Sequence, residues 1–148
     1  MTIELRKAIE EDFDWVRQAQ FNAYREWSLA QFGPTDAKVS RQFFEDSWSK
    51  HSFQIISVEG DACGFCALED QGDCIWVREF GIVPKRQSEG IGTEFLCYLV
   101  SRLPKTSSIR LNTFKANIAG IRFYKRFGFS EVGETDTQIN LEWTHPDS

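Results

Sequence analysis

Gly81-Ile82-Val83-Pro84-Lys85-Arg86-Gln87-Ser88-Glu89-Gly90-Ile91-Gly92-Thr93 carries an apolar strand through a basic turn into an apolar helix, with two glycines spaced by two at the junction. A turn of this kind leaves several backbone N–H groups unpaired and aims them, with the positive end of the helix dipole, at one place. Such a cradle suits phosphate. Glycine fits there because a side chain would hold the anion off the backbone, and because turn dihedrals often need positive φ. Two familiar phosphate loops do not match. The dinucleotide fingerprint needs a third glycine where Phe95 stands, and the nucleotide P-loop needs a lysine where Gly92 is followed by Thr93-Glu94.

The remaining pattern is Gln87-x-x-Gly90-x-Gly92 after Ile82-Val83-Pro84. It resembles motif A of the GNAT superfamily of N-acetyltransferases, Arg/Gln-x-x-Gly-x-Gly/Ala between a strand and a helix. Further on, Ser108 to Thr113 reads as a short strand, followed by Asn117-Ile118-Ala119-Gly120-Ile121-Arg122-Phe123-Tyr124-Lys125-Arg126-Phe127-Gly128-Phe129. This stretch is similar to motif B of the same superfamily, an Asn followed by a helix ending in Phe-Tyr-x-x-x-Gly-Phe. Seven helical steps from Asn117 to Tyr124 return to nearly the same face. Taken alone, Tyr124 reads as a half-buried aromatic; the two motifs in order favour a functional phenol. The resemblance spans roughly Ile3 to Trp143, and only these two motifs are specific.

With 148 residues the chain can bury most of its apolar surface in one core, and no repeat, low-complexity tract or linker divides it. We expect a single domain over residues 1–148. There is no run of about 18 apolar residues to span a membrane, and Met1 to Lys7 lacks a signal peptide's apolar run, so the expected location is cytoplasmic with no membrane partner. The net charge of −5 does not recruit nucleic acid and favours cationic ligands. Basic residues nevertheless gather around the two motifs: Lys85, Arg86, Lys115, Arg122, Lys125 and Arg126. Glu89 departs from the family pattern, in which that loop position is commonly neutral or basic. A carboxylate there weakens anion binding unless it points outward.

Cys63-Gly-Phe-Cys66 is formally a C-x-x-C, but it falls within an expected strand from Ala62 to Leu68, where the two thiols would face opposite sides of the sheet. Cys74 and Cys97 are scattered, and with His51 and His145 no metal site assembles by spacing. The cysteines read as buried small hydrophobes.

Coarse periodicity gives the order of elements. Ile3 to Lys7 is a strand. Val16, Ala19, Ala23, Trp27 and Ala30 mark a helix that Gly33-Pro34 ends. Phe21, Tyr24 and Ser28 form a second stripe on it, a candidate wall for an acceptor, although packing against the next helix explains the stripe equally well. Val39 to Lys50 is a second helix. Phe53 to Val58 and Ala62 to Leu68 form a hairpin, and Cys74 to Val83 a central strand. Ile91 to Val100 is a helix, and Phe129 to Thr135 with Gln138 to Trp143 an antiparallel pair. This succession suits a mixed α/β sheet. The resemblance implies more: a mostly antiparallel central sheet with one splayed parallel strand pair, and helices on both faces.

It also implies acetyl-CoA as cosubstrate, with no metal. The backbone at Phe80, Gly81, Ile82 and Val83 would take the pantetheine arm; Gln87, Ser88, Glu89, Gly90, Ile91, Gly92 and Thr93 would hold the pyrophosphate, with Asn117 and Tyr124 completing the cofactor side. The implied reaction is direct attack of a primary amine on the thioester. A strand N–H near Ile82 would polarise the carbonyl, and Tyr124 would protonate the leaving sulfur. Glu79 is the carboxylate in the strand leading to the loop, and thus the candidate base beside the acceptor; pairing with Arg78 or another cation is the alternative. The acceptor stays open among small polyamine, drug-like amine, amino acid and protein N-terminus, and a homodimer is compatible. A non-catalytic acyl-CoA-binding or sensory domain of the same fold is the rival reading, distinguished by CoA release with a panel of amines. An interaction module with an accidental phosphate loop would fail to bind CoA at all.

Overall fold

The computed structural model describes residues 1–146. Its strands are β1 (Ile3–Lys7), β2 (Phe53–Val58), β3 (Asp61–Asp70), β4 (Cys74–Ile82), β5 (Ser108–Phe114), β6 (Ser130–Glu134) and β7 (Gln138–Thr144). The helices are α1 (Phe13–Phe32), α2 (Ala37–Lys50), α3 (Ile91–Arg102) and α4 (Ile118–Phe127). All seven strands join one sheet in the order β1-β2-β3-β4-β5-β7-β6. Every pairing is antiparallel except β4 with β5. This is the mixed sheet expected from the sequence.

Alternation along the strands splits the core in two. On one face Ile56, Val77, Ile109, Leu111 and Leu141 meet Ile91, Phe95, Leu96 and Leu99 of α3 and Tyr124 of α4. On the other, Phe53, Ile55, Phe65 and Ala67 meet Val16 and Ala19 of α1 and Phe44 of α2. Both helices of the second face begin in defined ways. The Asp36 carboxylate caps α2 at the Lys38 N–H, two residues before the expected start. A short 3₁₀ turn, Glu10–Asp12, leads into α1, and Asp12 accepts from the Ile9 N–H.

The sheet has three register shifts, one of them at Val132 of β6, and the two that involve β3 change what simple alternation predicts near the site. Ile56 pairs with Gly64 but Ser57 with Ala62, so Cys63 is the extra residue of β3. The bulge reverses the phase of the strand, and Cys63 and Cys66 face the same core rather than opposite sides. Both are fully buried, and burial pushes the Cys66 thiol up to about 12. Cys74 is buried too, whereas Cys97 is exposed, contrary to the reading of all four as core residues. The second bulge is at Arg78, because Ala67 pairs with Glu79 while Leu68 pairs with Val77. It lies at the point where β4 leaves β5.

Candidate active site

The parallel ladder runs from Cys74 opposite Ser108 to Val77 opposite Leu111 and stops there. Beyond it β4 continues against β3 alone and β5 against β7 alone. A wedge therefore opens between the two strands. The Val83 N–H donates to the Cys63 carbonyl at 2.9 Å. Antiparallel ladders alternate, so Gly81 and Glu79 also direct their backbone groups to β3, and those of Phe80 and Ile82 point into the wedge. The expected span of Phe80, Gly81, Ile82 and Val83 thus contributes only its even members.

These two are not equivalent. The Phe80 N–H donates to the Tyr24 hydroxyl at 3.2 Å, and the Phe80 ring stacks on Phe95 with centroids 4.5 Å apart. The Ile82 carbonyl accepts from Nε2 of Gln87 at 3.0 Å. The Gln87 side chain is therefore folded back on its own strand.

After a short turn at Pro84–Arg86 the chain enters α3 through residues of positive φ, Ser88 at 67° and Gly90 at 87°. Gly90 is the N-cap, and no atom lies within 4 Å of where its Cβ would be. It is glycine for its dihedral and for open space in front of the helix terminus. Gly92 has a different reason, since a Cβ there would meet Phe123 of α4 at 3.0 Å. Ile91 is buried in the core, whereas Gln87, Ser88, Glu89 and Thr93 are exposed.

The Glu89 carboxylate is turned aside onto Arg86, whose Nε lies 3.0 and 3.2 Å from its two oxygens. Arg86 also pairs with Asp61. Lys115 pairs with Glu134 and Lys125 with Glu131. Arg86, Lys115 and Lys125 are thus paired within the chain, so half of the six cations read from the sequence are engaged in internal pairs.

Asn117 caps α4, accepting from the Gly120 N–H at 3.2 Å, and donates through Nδ2 to Thr113 at 3.0 Å. Both its amide atoms are engaged in shaping the helix start. Tyr124 is buried between Phe123 and Phe129. Burial raises its hydroxyl above the ordinary phenol range, and that hydroxyl makes no hydrogen bond among the described residues.

Glu79 lies on the opposite face and pairs with no cation among the described residues. Arg78 pairs instead with Glu69 at 2.7 Å and lies over the Trp76 ring. Glu79 Oε1 accepts from the Tyr24 hydroxyl at 2.8 Å and from Gln20 at 3.3 Å, and Oε2 accepts from the Ser47 hydroxyl at 2.8 Å. Gln20 and Ser47 were not legible as site residues. Gln20 sits one turn before Tyr24 on α1, a spacing that could have been read, but nothing in the sequence brings Ser47 of α2 to the same carboxylate. Burial, then the Glu79 charge, raise the Tyr24 hydroxyl well above its ordinary value, and Tyr124 adds to the rise. The two phenols therefore approach the wedge from opposite faces of the sheet.

Of the stripe expected to wall an acceptor, only Tyr24 bonds Glu79. Ser28 is half-buried, and Phe21 is exposed with the Arg25 guanidinium 6.0 Å from its ring. Trp27 of the same helix stacks on Phe114 of β5 with centroids 5.1 Å apart. Gln31 adds a tie by accepting from the Ala116 N–H. Among the described residues no group of His, Cys, Asp and Glu could hold a metal, and no helix is long and apolar enough to cross a membrane.

The profile of the acetyltransferase (GNAT) family matches residues 10–129. A spermine/spermidine N(1)-acetyltransferase of Bacillus subtilis is 31% identical over 105 residues, 62% of this chain and 69% of that protein. Among solved structures, the PaiA N-acetyltransferase of Thermoplasma acidophilum in complex with coenzyme A superposes with a TM-score of 0.78 at 18% identity, over 98% of this chain and 100% of that one. The Escherichia coli ribosomal-protein-S18-alanine N-acetyltransferase gives 0.66 at 16% identity, over 95% and 92%. A split β4–β5 pair, a glycine-capped α3 and this family match converge: the chain is an acyltransferase belonging to the GNAT family.

Proposed function

We propose that the protein transfers the acetyl group of acetyl-CoA directly to a primary amine, with residues 1–148 acting as one catalytic domain. The observation that carries this reading is the wedge, in which Phe80 and Ile82 direct backbone groups between β4 and β5 and the chain then enters α3 at Gly90. An extended pantetheine arm pairs with such a strand edge, and a pyrophosphate suits the helix terminus beyond it. Backbone N–H groups from Ser88 to Thr93 hold the phosphates, and the turned-away Glu89 leaves that approach clear.

In the reaction the amine lone pair forms a bond to the thioester carbon while the C–S bond breaks. The Ile82 N–H polarises the carbonyl, Tyr124 gives its proton to the sulfur, and Glu79 takes the ammonium proton directly or through water. We assign the acceptor to small cationic amines of the polyamine type. The spermine/spermidine enzyme among the relatives, the net charge of −5 and a carboxylate without a cation beside the wedge support that class.

The test is twofold. Acetyl-CoA should raise the melting temperature of the wild type but not of Gly90→Val, whose side chain enters the open space before α3 and whose backbone must hold a φ of 87° that valine rarely adopts, so each variant's shift is read against its own melting temperature without ligand. The wild type should also release CoA with spermine or spermidine. A normal melting shift in Gly90→Val refutes the phosphate assignment, and release of CoA only with peptide N-termini refutes the acceptor class.

A further inference from the structure

Glu79 is held from both helices that cover this face of the sheet. Tyr24 and Gln20 come from α1 and share Oε1, and Ser47 comes from α2 and takes Oε2. A carboxylate offers about four lone-pair sites, so these three donors leave one, on Oε2. The Tyr24 hydroxyl is itself fixed by accepting from the Phe80 N–H at 3.2 Å. Its single hydrogen has two acceptors in reach, Glu79 at 2.8 Å and the Phe80 carbonyl at 3.2 Å, and the shorter contact goes to the carboxylate. The ring is held between Trp27 and Phe65, with centroids at 5.1 and 5.8 Å.

We propose that Tyr24 is a positioning residue for acetyl transfer, fixing the Glu79 carboxylate against the β4 backbone so that its one open lone pair on Oε2 faces the incoming amine. This rests on the reading of Glu79 as base. Ser47 performs the same service from the other oxygen. Tyr24 has a second consequence: by occupying the Phe80 N–H it leaves Ile82 as the wedge-facing N–H for the thioester.

The test is a double-mutant cycle on CoA release from acetyl-CoA, with spermine as acceptor and with water alone. Tyr24→Phe keeps the ring and deletes the hydroxyl. It should slow turnover at least about fivefold, a coupling typical of residues in contact, with little change in acetyl-CoA affinity. In a Glu79→Gln background the same change should cost nearly nothing. Ser47→Ala should behave alike, which covers the case in which Tyr24→Phe folds poorly. Equal losses in both backgrounds would make Tyr24 merely structural and overturn the proposal, as would no loss at all. If spermine is inert, the acceptor class fails, and the cycle run on hydrolysis still decides the role of Tyr24. If Glu79→Gln itself is silent in both assays, the base assignment fails and the positioning role with it.

Discussion

Tyr124 and Glu79 are the residues to which the proposed function gives the proton transfers, and they differ in how legible their surroundings were. Tyr124 was singled out by its Asn-to-Tyr spacing and the Phe-Tyr-x-x-x-Gly-Phe ending, and it lies buried on α4 with a hydroxyl that has no hydrogen-bond partner among the described residues. Glu79 was readable as a carboxylate in the right strand, but its partners were not. They come from positions 59, 55 and 32 residues away in the chain, a separation that no local pattern reports. For Asn117 the motif position was legible but its local bonds were not: its amide caps α4 and donates to Thr113. For Tyr124, burial raises the phenol and keeps it protonated at neutral pH, the form that the proposed transfer to a leaving thiolate requires. Tyr124→Phe should lower turnover at least about tenfold. Melting temperature and acetyl-CoA affinity should hardly move. Unchanged turnover, under conditions where chemistry limits the rate, would assign the hydroxyl to packing.

Element boundaries followed the periodicity closely because the apolar positions that define each strand or helix are local. The bulges at Cys63 and Arg78 were hidden because a bulge is a relation between strands. The internal pairing of Arg86 with Asp61 was hidden for the same reason, since it joins the β2–β3 hairpin to the loop before α3. A shorter link, over six residues, ties the first strand to the turn that leads into α1. Arg6 of β1 donates to Asp12 at 2.7 and 2.9 Å, and with the Ile9 N–H it lowers the Asp12 carboxyl from 3.8 to about 2. The folded value lies below the unfolded one, so this stabilisation is complete above about pH 4 and is lost as pH falls toward about 2. Asp12→Ala should therefore melt a few degrees below wild type at neutral pH. The effect is modest because Arg6 is more than half exposed. The gap should narrow as pH drops through that window. A gap that stays constant down to about pH 2 would mean that the carboxylate charge contributes nothing.

At the scale of the molecule, the sheet divides the labour between its faces. The α3 and α4 face presents the glycine-capped terminus and Tyr124, and the α1 and α2 face presents Glu79 with its ring of donors. The wedge between β4 and β5 lies between the two faces, and on the proposed function a thioester and an amine would meet there from opposite sides without a covalent stop on the protein. The nearby thiols of Cys63 and Cys66 are buried, and burial keeps them in the unreactive protonated form. Direct transfer is thus the central claim, and one measurement addresses it. Isotope-labelled acetyl-CoA would be mixed with the protein, with and without spermine, and both the intact protein and the amine would be weighed by mass spectrometry. The account predicts label on the amine in step with CoA released, and none on the protein whether or not amine is present. Labelled protein that passes its acetyl group to spermine on later addition would contradict it.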